Sequence, residues 1–234
     1  MKPAAKERSR VTTEKHIKVL DLSEKDHDDS PDMQHDSSDK KYDVVLIGTS
    51  MFERFTYEEA ALKAFTDAGL DKFKIFNCGV GGDRLCNILY RLDTLKVLDH
   101  FKSPPKLVIL EGGANDVDRK NMNIPEFIDG MKQLINIVRA RWPETKIVVL
   151  GVYPRKSPNV EAGNMLARIK NISDQLADLC LSFGPGVFFR DWSQDVLSSD
   201  GSCQKIINTD DFVDDVHFSK SGYDKFARRI HQLI

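Results

Sequence analysis

After residue 41 the chain reads as short, nearly all-apolar runs separated by longer stretches in which apolar residues recur at helical spacing. The runs are Tyr42-Asp43-Val44-Val45-Leu46-Ile47, Phe73-Lys74-Ile75-Phe76, Lys106-Leu107-Val108-Ile109-Leu110, Lys146-Ile147-Val148-Val149-Leu150 and Val187-Phe188-Phe189. They are short and rich in β-branched residues, as strands covered on both faces must be. The stretches at 57–68, 124–142 and 162–183 carry an amphipathic helical pattern, and Gly184-Pro185-Gly186 stops the last of them. Strand followed by helix, repeated, predicts a five-stranded parallel sheet in a three-layer α/β/α domain of flavodoxin-like kind.

The pattern before residue 42 is different. Between residues 23 and 41 the only large apolar side chain is Met33, among Asp, Ser, Lys and His. Such a segment buries too little surface to offset its ordering entropy, which predicts a flexible linker. Ahead of it, residues 16–22 read as a short strand or docking segment. Residues 1–41 are therefore expected to be a flexible polar N-terminal arm, with the folded domain over 42–234. His27 and His35 lie among aspartates, where a metal site is the minor reading and a solvated tract the main one.

Composition narrows the partners. The 34 Lys+Arg against 36 Asp+Glu leave a net charge of −2, so no basic excess exists to neutralise a nucleic-acid backbone. No stretch approaches the roughly 20 apolar residues of a membrane span, and the first residues lack the apolar core of a secretory signal. The expectation is a cytoplasmic protein without a transmembrane segment, for which a homodimer is possible. Cys78, Cys86, Cys180 and Cys203 have no CxxC spacing and read as buried thiols in a reducing compartment. No clustered ligand set calls for a metal or another cofactor.

In a parallel α/β sheet ligands bind at the carboxyl ends of the strands. After the first run comes Gly48-Thr49-Ser50; after the second, Asn77-Cys78-Gly79-Val80-Gly81-Gly82-Asp83; after the third, Glu111-Gly112-Gly113-Ala114-Asn115-Asp116. Near the C-terminus lies Asp214-Asp215-Val216-His217, followed by Ser219 to Gly222, which can start a last helix. Together these supply a serine, backbone N–H donors, an asparagine amide, a histidine and an aspartate, the inventory that acyl transfer requires. Asp214 precedes His217 by three positions, a spacing that can let the carboxylate reach the imidazole and fix its tautomer.

These four blocks, in this order, resemble the GDSL-type or SGNH hydrolases over 41–234. The resemblance implies that Ser50 is the nucleophile, His217 the general base and acid, and Asp214 its orienter. It also implies an oxyanion hole from the backbone N–H groups of Ser50 and Gly82 and the side-chain amide of Asn115. The function implied is hydrolysis of short-chain, chiefly acetyl, esters through an acyl-enzyme, acting on a small-molecule or lipid ester without a cofactor. Gly81-Gly82-Asp83-Arg84 leading to Ile88-Leu89-Tyr90-Arg91-Leu92 looks most like the branch containing intracellular platelet-activating-factor acetylhydrolase catalytic subunits. The family pattern has Asp where this chain has Thr49, which bears on how the nucleophile turn is braced.

Each block also has a structural reading. Ser50 after a strand is a natural helix N-cap, and Asp83 a cap for a helix beginning near Arg84. The Gly79, Gly81 and Gly82 cluster could cradle a phosphate, but it follows the second strand and lacks GxGxxG spacing. Asn115-Asp116 could close an Asx turn. His100 and His231 read as surface histidines without partners, and Asp215 competes with Asp214 for the imidazole. An SGNH-fold binding or scaffold protein with reduced catalysis is the alternative function, supported by Thr49 alone.

Overall fold

The computed structural model describes residues 1–22, 41–155, 160–199 and 205–234. In chain order the elements are α1 (Glu7–Leu22), β1 (Val44–Gly48), α2 (Ser50–Glu53), α3 (Glu59–Asp67), β2 (Ile75–Gly79), α4 (Leu85–Leu89), β3 (Leu107–Leu110), α5 (Ala114–Val117), α6 (Ile124–Arg141), β4 (Lys146–Leu150), α7 (Ala162–Ser182), β5 (Val187–Arg190), β6 (Leu197–Ser199), β7 (Lys205–Ile207) and α8 (Lys220–His231). The first five strands form one parallel sheet in the order β2-β1-β3-β4-β5. The five apolar runs are its five strands, and the three long helical patterns are α3, α6 and α7. The antiparallel pair β6-β7, three residues per strand, had no signal in the hydrophobic pattern.

Alternate strand residues serve opposite faces, as the pleat demands. Val45, Ile47, Val108, Leu110, Ile147 and Val149 pack with α4, α6 and α7. Val44, Leu46, Leu107, Ile109, Val148 and Leu150 pack with α2, α3 and α8. Helix starts follow from local chemistry: the Asn123 side chain accepts from the Glu126 N–H at the head of α6, with Pro125 in the first turn. Ser219 does the same for α8 through the Gly222 N–H. The chain runs from β1 outward to β2 and then returns to β3 on the other side, so the crevice at the carboxyl ends of β1 and β3 is the switch point of the sheet.

The N-terminal expectation needs correction. Residues 7–22 form helix α1, and 16–22 are its second half rather than a strand. Ser9, Thr13 and Leu20 are buried, and Ile17 packs beside them on the core. These positions share one helical face, but two of them are hydroxyl residues, so the face has no apolar stripe to read. Residues 23–40 of the arm, with His27 and His35, lie outside the described residues, as does Cys203. His100 has a partner after all, its Nδ1 2.9 Å from Asp21 Oδ1 near the end of α1. Cys78 and Cys180 are buried, whereas Cys86 is only partly so. No helix among the described residues is long and apolar enough to cross a membrane.

Candidate active site

Thr49, in extended conformation, is the N-cap of α2, and Ser50 is its first helical residue, almost completely buried. The capping position anticipated for Ser50 thus belongs to its neighbour. At the first helical position the Ser50 N–H has no acceptor within the helix. The Thr49 N–H and hydroxyl both donate to Glu111 Oε2, at 2.8 and 2.9 Å. Glu111 is brought there by strand register, its own N–H bonding to Ile47 O. A Cβ on Gly48 would stand 2.6 Å from Glu111 Oε2, so only glycine lets this carboxylate under the turn. Burial raises the Glu111 carboxyl to about 7, against the opposing effect of the Thr49 bonds and Arg91. Where the family pattern has Asp, Thr49 instead donates to the carboxylate of Glu111, the residue just past β3.

The glycine-rich turn after β2 is held from several sides. Asn77 Nδ2 donates to Phe52 O at 2.6 Å while its Oδ1 accepts from the Gly79 N–H. Val80 N–H bonds to Gly48 O, and Asp83 N–H closes the turn onto Val80 O. Gly82 has φ +71°, which a tight turn of this kind requires at its third position. Asp83 does not cap α4; Arg84 occupies that position. Instead the fully buried Asp83 carboxylate accepts from Arg91 Nε at 2.9 Å, and the same guanidinium donates to Cys78 O and Gly48 O. One buried arginine therefore ties together the ends of β1 and β2 and the turn. Removing either partner of a buried pair leaves an uncompensated charge and costs about 3–5 kcal/mol.

Asn115 sits in α5, at the end of β3. Gly113 before it has φ +107°, and a Cβ there would be 2.7 Å from Val152. Asn115 Nδ2 donates to Asp83 O at 2.9 Å and its Oδ1 lies 3.4 Å from Arg155 Nη1. These two partners fix which end of the amide is nitrogen, and one of its two N–H bonds remains for another acceptor. Next to it, Asp116 accepts from the Leu85 N–H, and burial raises its carboxyl to about 6.

His217 and Asp214 share a short hairpin closed by the Phe212–Phe218 bridge and by Val213 N–H to His217 O. His217 Nδ1 is 2.8 Å from Asp214 Oδ2, while Asp214 Oδ1 accepts from the N–H groups of Val216 and His217. Partial burial alone would raise the Asp214 carboxyl, but the His217 and backbone hydrogen bonds outweigh it and hold it at about 2. The carboxylate beside the imidazole is that of Asp214, not Asp215. Phe218 packs on Tyr153, Trp192 and Phe226, and Phe226 stacks on Phe52 in α2. This ring cluster ties the hairpin to the helix that begins with Ser50.

Several supports escaped the reading of the chain: Glu111, the Asp83–Arg91 pair, Arg155 and Asp211. Asp211 is fully buried below the hairpin and accepts from Ser221, Lys225 and Asn208. A signal existed for Arg91, a charge inside the apolar stretch Ile88 to Leu92, and Asp83 and Glu111 stood in the strand-end blocks without these roles being read; nothing marked Arg155 or Asp211.

A parallel α/β sheet with a serine at the end of β1, backbone and amide donors at the neighbouring strand ends and an Asp–His pair on the hairpin before α8 holds the groups expected of a serine-type hydrolase. The profile of the GDSL-like lipase/acylhydrolase family matches residues 47–225, and the chain belongs to that family, as a hydrolase acting on esters. The chain is 29% identical over 199 residues to the Bos taurus platelet-activating factor acetylhydrolase IB subunit alpha1, covering 85% of this chain and 78% of that protein. Among solved structures it resembles a GDSL-like lipase from Bacteroides thetaiotaomicron, with TM-score 0.66 and 17% identity, covering 94% of this chain and 96% of the other. A lipase/acylhydrolase from Enterococcus faecalis superposes with TM-score 0.58 at 18% identity, covering 82% and 94%.

Proposed function

We propose that this protein hydrolyses short-chain, chiefly acetyl, esters through an acyl-enzyme formed on Ser50. His217 Nε2 takes the Ser50 proton as Oγ attacks the ester carbonyl, and gives that proton to the departing alcohol. Water then attacks the acyl carbonyl with His217 again as base, releasing the acid and restoring Ser50. Asp214 holds the Nδ1–H tautomer and stabilises the imidazolium. The negative oxygen of each tetrahedral intermediate meets the N–H groups of Ser50 and Gly82 and the second N–H of Asn115.

The observation that carries the reading is the 2.8 Å contact of Asp214 with His217, on a hairpin tied through the Phe218–Phe226–Phe52 rings to α2. The acetyl preference is supported by similarity to proteins named as acetylhydrolases. Thr49, the one feature favouring a scaffold without turnover, has its structural task shared with Glu111.

The test is turnover of p-nitrophenyl acetate and butyrate against a palmitoyl ester below its micellar concentration, with a fluorophosphonate to label the nucleophile. The expected result is higher kcat/KM on the short esters and label on Ser50. Label elsewhere refutes the site, and a palmitoyl preference refutes the substrate class.

A further inference from the structure

Residues 6–9 make polar contacts on and around the very turn that contains Gly82. Lys6 Nζ donates to Gly81 O at 3.0 Å and lies 3.6 Å from Asp83 Oδ1. The Ser9 hydroxyl donates to the same Asp83 oxygen, and Ser9 is fully buried. Arg8 pairs with Glu53 at 2.7 Å, and Glu53 in turn accepts from the Gly81 N–H at 3.0 Å. A Cβ on Gly82 would stand 3.0 Å from the Lys6 ammonium.

Resting on the active-site assignment above, we propose that residues 4–9 are a working part of the oxyanion hole, with Ser9 and Lys6 as positioning residues for the Gly82 and Asn115 donors. The Asp83 carboxylate has two anchors: Arg91 on Oδ2, and Ser9 with Lys6 on Oδ1. The carbonyl of Asp83 is the acceptor that aims the Asn115 amide. Releasing Oδ1 loosens the residue whose carbonyl aims Asn115, and losing the Lys6 bond to Gly81 O frees the planar peptide unit that carries the Gly82 N–H. Donors to a developing oxyanion act within a few tenths of an ångström, so a displacement too small to unfold anything lowers the rate. The far end of α1 is a natural control, since its Asp21–His100 pair belongs to the same helix but touches no part of the turn.

The experiment compares full-length Ser9→Ala, Lys6→Met, Lys6→Arg and Asp21→Asn on p-nitrophenyl acetate, with kcat per titrated active site, KM and Tm measured on each preparation. Ser9→Ala and Lys6→Met are expected to lower kcat by about tenfold with KM within about twofold. Lys6→Arg keeps the charge and donors and stays within about threefold of the parent, and Asp21→Asn leaves kcat unchanged. Unchanged kcat in Lys6→Met overturns the proposal, as does Lys6→Arg falling as far as Lys6→Met, or Asp21→Asn lowering kcat like the others. Should Ser9→Ala fail to fold, the Lys6 pair decides, because that side chain is one-third exposed. Ser50→Ala run alongside separates the two ideas: retained turnover there defeats the active-site assignment, while its loss with normal kcat at Ser9 and Lys6 defeats only this one.

Discussion

The two halves of the site are built to different standards. On the Ser50 side, Thr49, Asp83, Glu111 and Arg91 are buried and bonded to one another or to strand ends. On the His217 side, the imidazole is about one-quarter exposed and the Asp214 carboxylate half exposed, on a hairpin held by backbone bonds and by its neighbour Phe218. On the proposed mechanism the first half would fix donors that must not move as charge develops, and the second would carry the groups that exchange protons with substrate and water. Substitutions on the first half should therefore trade stability against rate, and substitutions on the second should change rate alone.

The largest effects test whether both halves form one machine. Ser50→Ala and His217→Ala should each lower kcat by about a thousandfold or more, with the double variant scarcely worse than either, as members of a catalytic unit behave. Asp214→Asn should lower kcat by at least about a hundredfold at nearly unchanged Tm, because its pair is exposed and contributes little to stability. Asp215→Asn should stay within about twofold of the parent. A strong rate loss at Asp215 with a mild one at Asp214 would contradict the hairpin geometry.

Asn115→Ala comes next and sharpens the contrast. As an oxyanion donor it should lower kcat by about a hundredfold with little change in KM. Because its amide also serves Asp83 O and Arg155, this variant should lose about 1 kcal/mol of stability as well, which Asp214→Asn should not. Kinetics and thermal unfolding on the same preparation separate the two contributions. A drop in Tm with normal kcat would remove Asn115 from the oxyanion hole.

Legibility in the sequence followed a different divide, between local pattern and contacts distant in the chain. The sheet was readable because fully buried strands leave continuous runs such as Leu107 to Leu110, and α6 because Phe127, Met131, Leu134 and Val138 repeat at helical spacing. Ser50, Gly82, Asn115, Asp214 and His217 stand in local blocks after strands or on one short loop, and the resemblance of those blocks, in their order, to the family pattern singled them out. What was hidden depends on contacts distant in the chain. Glu111 meets Thr49 across 62 positions and Ser9 meets Asp83 across 74, and neither has a periodicity to betray it. Helix α1 was missed because hydroxyls, not apolar groups, occupy much of its buried face.

Thr49→Asp tests the brace directly and should have a moderate effect. The family's residue, introduced here, would bring a second carboxyl against buried Glu111, where two like charges cannot both ionise cheaply. The expected outcome is a loss of about 2–3 kcal/mol. Thr49→Asp/Glu111→Gln should recover most of it, since the amide can donate to the new carboxylate. An uncoupled pair in this double-mutant cycle would show that Glu111 does not stand in for the missing aspartate.

The smallest effects are shifts of stability with pH, and there the two halves separate by window. Glu111 is raised from 4.5 to about 7 in the fold, so between those values the folded chain keeps a proton the unfolded chain releases, and stability falls as pH rises. His16, in α1, has the opposite sign: burial, aided by Arg91, lowers it from 6.5 to about 4, so stability falls as pH drops through that window. Asp214 is lowered from 3.8 to about 2, and its contribution is lost only as pH falls below 3.8. Each is isolated by subtracting the parent's Tm curve. The Glu111→Gln difference should climb from pH 4.5 to 7 and then level, and the His16→Phe difference should climb as pH drops from 6.5 to 4. The Asp214→Asn difference should stay flat above about pH 4. A flat Glu111→Gln difference would mean that this carboxylate is charged in the fold and solvated, and the contrast between a buried nucleophile half and an exposed dyad half would fail at its central residue.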